Sequence, residues 1–319
     1  MMKGWLFTRT NEPLKLVEKE IPKAKPGYVV IRTGACGICH SDVGTLRDEG
    51  WMSIMNLPVI MGHENAGTII EVGKGVTDFK VGDRVAICPT GPSGAGAPGY
   101  SYDGGFGTHI HAPAADLVLV PKGIRMADAA AATDAGMTSY HAIFNRGEAK
   151  PEMNIGIIGI GGLGQCGLQA LIASGFKNVY AVDINEHARD LAKKIGAKEV
   201  GKDIKEFKDK NLNLIVDFAG FGQTTTDAIE TLAFGGTCVL VGMGRLEFKV
   251  NVMDFITQSK KVIASNGGTK EDIAAIYKLM AAGKLKPMLH EIKPSYIPKG
   301  IEELEQGKVK GRLVAVYEE

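Results

Sequence analysis

Asn154-Ile155-Gly156-Ile157-Ile158-Gly159-Ile160-Gly161-Gly162-Leu163-Gly164 is an apolar run that ends in a glycine-rich turn and passes directly into the amphipathic stretch Leu163–Ser174. A strand, a GxGxxG turn and a helix in that order make up the dinucleotide-binding fingerprint. Each glycine has its own task. Gly159 permits the tight turn, Gly161 lets the backbone approach a pyrophosphate at the helix N-terminus, and Gly164 lets helix and strand pack closely. Gly162 and Leu163 supply the first N–H groups of that helix. A Gly-rich turn alone also joins strands to helices without binding anything, so the context matters. Asp183, at the end of the next apolar run Val179–Ile184, completes the unit. Its carboxylate suits the two adenosine ribose hydroxyls and repels a 2′-phosphate, which favours NAD over NADP.

The same rhythm continues outward from this turn. Helix Glu186–Ile195, strand Leu214–Phe218, helix Thr224–Ala233 and strands Thr237–Val241 and Val262–Ser265 come next. Alternation of this kind predicts a doubly wound parallel sheet covered by helices on both faces. Upstream, residues 1–137 show short β-rich runs such as Val29–Thr33, Ala66–Val72 and Arg84–Ile87 between Gly and Pro turns, which predicts a β-rich barrel or sandwich. The tail from Glu271 adds an amphipathic helix and the strand-like ending Arg312–Tyr317, expected to return to the first domain. The fold class is therefore α/β in two domains. Pro89–Gly107, rich in Gly, Pro, Ser and Ala, reads as a surface loop.

With 37 basic against 36 acidic residues the chain carries a formal charge of +1, which recruits neither nucleic acid nor an anionic membrane. A small neutral or weakly charged substrate fits better. The N-terminal residues show no apolar core with a small-residue cleavage site, and no segment has the length of a membrane-spanning helix. Cytoplasmic location is the expectation. Five cysteines are too few and scattered for a disulfide framework, so reduced thiols are expected.

Gly34-Ala35-Cys36-Gly37-Ile38-Cys39-His40-Ser41-Asp42 places two thiols, an imidazole, a hydroxyl and a carboxylate just after a strand, and Gly62-His63-Glu64 adds an imidazole beside a carboxylate. A catalytic zinc needs three protein ligands and one open position. Spacing alone nominates no third ligand, and a CxxC pair also serves redox chemistry.

The motifs GxCxxCHSD, GHExxG, GDRV, the Gly159–Gly164 turn and the closing Gly307-Lys308-Val309-Lys310-Gly311-Arg312 resemble, in this order and over nearly the whole chain, the zinc-containing medium-chain alcohol dehydrogenases. The resemblance implies a GroES-like catalytic domain over 1–137 and 269–319, and a Rossmann NAD-binding domain over 138–268. It implies one catalytic zinc per chain on Cys39, His63 and Asp134, the last at a position where many relatives carry Cys and some secondary-alcohol dehydrogenases carry Asp. Glu64 matches a neighbouring carboxylate that can approach the metal transiently, and Ser41 the hydroxyl that takes the substrate proton and passes it through the nicotinamide ribose. Cys36 matches a position of loose identity and reads as a small buried filler.

By the same resemblance His40 and Arg312 face the cofactor pyrophosphate, Thr138 lies near the nicotinamide amide, and Phe218 and Val241 wall the coenzyme cleft. The implied partners are a small-molecule alcohol or carbonyl substrate and further copies of the chain, as a dimer or tetramer. The chain departs from the family at two places. Many relatives end the proton relay on a His where this chain has Gly44, and they carry a four-cysteine structural-zinc lobe where Pro89–Gly107 has no cysteine. A zinc-free enoyl or quinone reductase of the same superfamily and a non-catalytic NAD-binding redox sensor are the alternatives.

Overall fold

The computed structural model describes residues 1–318; Glu319, the last residue of the expected first domain, lies outside them. The chain divides into two compact units, one of residues 1–134, 269–281 and 287 onward, the other of residues 135–268 and 282–286.

In the second unit, the β-branched runs pair into a six-stranded, wholly parallel sheet. Its spatial order is Glu199–Gly201, Val179–Val182, Ile155–Ile158, Leu212–Asp217, Leu232–Leu240 and Lys261–Ala264. Counted along the unit this is 3-2-1-4-5-6, the Rossmann order, with the switch point between Ile155–Ile158 and Leu212–Asp217. Ile155, Ile157, Val179, Ala181, Val216 and Val239 are buried together with Leu168 and Leu171 of the helix Gly162–Ala173. Each large aliphatic side chain among them contributes about 1.5–3 kcal/mol by leaving water. Two elements are not marked by sequence periodicity. The strand Glu199–Gly201 is three residues long, and the helix Val252–Thr257 buries none of its side chains.

The first unit is built on one long strand, Tyr28–Ile38, which pairs antiparallel with Glu64–Val72, His109–Pro113 and Arg312–Val316. A core of Val29, Ile31, Ile69, Val85, Ile87, Ile110 and Leu117 fills this sheet. The chain ending thus returns to the first unit as a strand. Its register sets the distance to the site: Gly37 lies opposite both Glu64 and Val314, so the last strand runs two strands away from Glu64. A smaller antiparallel sheet joins Lys15–Lys19, Met2–Phe7 and Val59–Ile60.

The reading of Pro89–Gly107 as a surface loop needs correction. Its first part is largely exposed, but Pro98, Gly99 and the run from Gly104 to Gly107 are buried. Gly104, Gly105 and Phe106 donate backbone hydrogen bonds to the carbonyls of Ile60, Gly62 and Met61 at 2.7–2.8 Å. The glycines there serve close backbone approach rather than solvent exposure. Among the described residues no helix is long and apolar enough to cross a membrane.

Candidate functional site

Cys39 directly follows the long central strand and caps the helix His40–Arg47; its N–H donates to Asp42 Oδ2 at 2.8 Å. The other oxygen of Asp42, itself buried, lies 3.6 Å from His63 Nδ1. His63 Nδ1 is buried and makes no formed hydrogen bond, and its Nε2 lies 3.9 Å from both Glu64 Oε1 and Asp134 Oδ2. Asp134 sits in the π-helical turn Ala132–Gly136, a local widening that often marks functional positions. Ligand atoms of Cys39, His63, Glu64 and Asp134 all lie within 4.8 Å of one another. A thiol, an imidazole and a carboxylate, converging in a partly buried place around an imidazole whose far nitrogen faces a carboxylate, fit a zinc ion and its outer support.

Arg312, on the last strand, is 4% exposed and donates to both oxygens of Glu64 and to Asp134 Oδ2. Burial pushes the Glu64 carboxyl up, and the Arg312 cation opposes that shift. For His63 burial disfavours the charged ring, but neighbouring groups, Asp42 and Asp134 among them, outweigh it and the net shift is upward. Glu64 is thus brought among the donors, with its carboxylate held by Arg312.

Ser41 and His40 open the helix His40–Arg47. His40 is solvent-exposed, yet desolvation and then the Arg312 cation lower its pKa. Cys36 is fully buried, outside the donor cluster, and burial raises its thiol well above the ordinary range. All five cysteines are free thiols.

In the second unit the Gly-rich turn leaves Ile158 with Gly159 at φ +85°, a conformation that favours glycine. A Cβ on Gly164 would overlap the Gly159 carbonyl oxygen, whereas a Cβ on Gly161 would meet nothing within 4 Å. The helix that starts at Gly162 and Leu163 therefore presses on the turn at Gly164 while its N-terminus stays open. Asp183 comes directly after the second strand, accepting from Ile160 N–H and Asn185 N–H at 2.8 Å each. Phe218 and Val241 come directly after the fourth and fifth strands at their C-terminal ends, both partly buried against the core. Thr138 lies buried in the short helix Met137–Tyr140.

Three residues with evident roles escape sequence reasoning. Asp42 is legible only as part of His-Ser-Asp, yet as the third residue of a capped helix it accepts from the Cys39 N–H and faces His63 Nδ1 at 3.6 Å. Tyr100, from the loop 89–107, places its ring 5.6 Å from that of His63. Asp217, fully buried, accepts from Ala219 and Gly220 N–H and from the Thr224 and Thr225 hydroxyls, and so fixes the chain beyond the switch-point strand.

A Rossmann sheet with an open glycine turn, joined in one chain to a β-rich unit carrying a thiol–imidazole–carboxylate cluster, defines a two-domain dehydrogenase. Comparison with known proteins agrees. Residues 25–122 match the alcohol dehydrogenase GroES-like domain and residues 162–282 the zinc-binding dehydrogenase domain. An alcohol dehydrogenase of Geobacillus stearothermophilus is 34% identical over 98% of this chain and 99% of its own. Among solved structures, acetophenone reductase from Geotrichum candidum in complex with NAD superposes with a TM-score of 0.91 at 29% identity, covering 99% of this chain and 97% of that one. The alcohol dehydrogenase of Aeropyrum pernix gives 0.89 at 27% identity, over 99% and 100%. The chain belongs to the zinc-dependent medium-chain alcohol dehydrogenase family.

Proposed function

We propose that the protein interconverts an alcohol and its carbonyl compound with NAD(H), using one zinc ion per chain held by Cys39, His63 and Asp134. The observation that carries this reading is the convergence of those three donor types, with Glu64, within 4.8 Å. Zinc bound there supplies Lewis acidity that favours the deprotonated alcohol oxygen. The remaining work falls to the chain's own side chains. Asp42 orients His63 through Nδ1, leaving Nε2 toward the cluster. Arg312 holds Glu64 away from free rotation and keeps its charge compensated. Ser41 receives the substrate proton, as in the family pattern.

The open N-terminus at Gly161–Leu163 suits a pyrophosphate, and Asp183 at the end of the second strand suits a ribose without a 2′-phosphate. Phe218 and Val241 offer apolar walls near the switch point. For His40, Thr138 and Arg312 the roles toward the cofactor rest on family membership. The likeness to an acetophenone reductase supports a ketone and its secondary alcohol as the substrate pair.

We infer that the chain assembles with copies of itself. Phe234, Leu246, Val252, Met253 and Ile256 are each more than 60% exposed, and among the described residues nothing pairs with the outer side of the strand Lys261–Ala264. An open edge accompanied by exposed apolar side chains is covered in most soluble proteins. Sedimentation of the purified protein tests this, and a monomer at micromolar concentration contradicts it. Free thiols are in keeping with a cytoplasmic enzyme. The catalytic reading is tested by elemental analysis together with nicotinamide absorbance over a panel of alcohols and ketones. Absence of zinc contradicts the metal site, and zinc without turnover contradicts the enzyme.

A further inference from the structure

We propose that the outer face of the main sheet in the first unit carries a binding site for a small phosphate monoester, held by Arg32, Thr68 and Arg84. The site is independent of the catalytic reading. Seven residues of largely extended chain separate Arg32 from Cys39, about 20 Å, so a ligand there touches none of the metal cluster.

Strand register builds the site. Arg32 on Tyr28–Ile38 lies opposite Thr68 on Glu64–Val72, and Thr68 lies opposite Arg84 on Arg84–Ile87. Residues directly opposite in antiparallel strands project from the same face, with Cβ atoms about 4.5–5.5 Å apart. The three therefore form one rung. Their neighbours Ile31, Ile69 and Val85 turn inward and fill the core, so the rung turns outward. It lines a cavity of about 320 Å³ together with Arg125, Met126 and Glu318. That volume is at the lower end of small-ligand pockets.

The charge balance selects the ligand. Arg125 is already paired, with Asp128 at 2.9 Å and with Glu291 at 2.5 Å. Arg84 donates to the Ile124 carbonyl, and among the described residues no carboxylate forms an ion pair with Arg84 or Arg32. The Arg32 charge bears instead on His109, its partner on the other side, whose pKa is lowered by desolvation first, then by the amino terminus and Arg32. Glu318 brings one negative charge to the cavity, which leaves the two unpaired guanidiniums in excess. A phosphate monoester matches what remains. It is a dianion whose oxygens accept from both guanidinium forks and from the Thr68 hydroxyl between them. Met126 offers apolar surface to a short carbon skeleton.

The test is calorimetric titration of the full chain, saturated with NAD so that the glycine turn is occupied. Methyl phosphate is the probe, and methyl sulfate, of the same shape and a single charge, is run beside it. One methyl phosphate per chain is expected, bound more tightly than methyl sulfate. Arg32→Gln should weaken methyl phosphate by about 10-fold or more, and Thr68→Val by less, at unchanged zinc content and NAD affinity. Arg32→Lys should recover only part of the loss, because a point charge does not replace the fork. Arg32 is exposed, so its replacement leaves the fold intact. A wild type that binds no methyl phosphate, or an Arg32→Gln variant that binds it as tightly as the wild type, overturns the proposal.

Discussion

Arg312 Nε donates to Glu64 Oε2 at 3.1 Å across 248 positions of sequence, and its Nη2 reaches both Glu64 Oε1 and Asp134 Oδ2. The strand Arg312–Val316 thereby reaches the donor cluster of Cys39, His63, Glu64 and Asp134. Removing one partner leaves a buried charge uncompensated, so Arg312→Ala is expected to lower stability by about 3–5 kcal/mol. Loss of the surface pair Arg47–Glu305 through Glu305→Ala should cost at most about 1 kcal/mol, since both side chains are a third or more exposed. Urea unfolding of the two variants decides it. Equal midpoints contradict the reading of Arg312 as a structural tie.

Gly161 and Gly164 should respond differently to alanine. At Gly164 the added methyl collides with the Gly159 carbonyl, so Gly164→Ala is expected to lower the unfolding midpoint and weaken NAD binding together. At Gly161 there is free space, so Gly161→Ala should leave the midpoint nearly unchanged and weaken NAD by about 10-fold, or about 1.4 kcal/mol. Calorimetric NAD titration beside thermal unfolding reads both. Undiminished NAD affinity in Gly161→Ala speaks against a pyrophosphate at that turn.

Asp183→Ser keeps a short polar group after the second strand but removes the negative charge. The ratio of kcat/KM for NADP to that for NAD should rise by about 10-fold or more, the equivalent of ~1.4 kcal/mol. The two cofactors are compared with one alcohol at fixed ionic strength. An unchanged ratio places the ribose elsewhere.

The Rossmann half is largely legible in the sequence because its signals are local. The periodicity of Leu163–Ser174 and the β-branched run before Gly159 depend on neighbours a few residues apart. What is not legible depends on partners far away or on very short elements. The strand Glu199–Gly201 has only three residues with which to signal itself. The helix Ile297–Glu305 escapes a sequence reading because Pro298 looks like a breaker, whereas at the first turn of a helix it is tolerated. In the metal cluster, Cys39, His63 and Asp134 are nominated only through resemblance. The same resemblance points Arg312 toward a pyrophosphate, and its grip on Glu64 comes from the register Val314–Gly37–Glu64 that no local pattern encodes. Tyr100 carries no signal, lying in a glycine-rich stretch whose composition resembles solvated loops.

His111 provides a pH test away from the metal. Its ring stacks on Tyr28 at 4.7 Å, and its Nε2 accepts from the Lys25 N–H at 3.3 Å, which requires the neutral ring. Desolvation, and then the Lys25 cation, lower its pKa. The unfolded chain therefore binds the proton more readily. Stability from the neutral ring is present above the unfolded value of about 6.5 and is lost as pH falls from there through the lowered folded pKa. Histidine NMR titration should place His111 below the ordinary histidine value, and His111→Gln should flatten the stability curve over that window. A raised His111 pKa contradicts the assignment.

Zinc content per chain tests the central claim most directly, measured for the wild type and for Cys39→Ser, His63→Ala and Asp134→Ala after dialysis against a mild chelator. The wild type should retain one zinc and oxidise alcohols with NAD, and each variant should lose both metal and turnover. A wild type that turns over alcohol without zinc, or an Asp134→Ala variant that keeps full zinc and full rate, contradicts the Cys39–His63–Asp134 site.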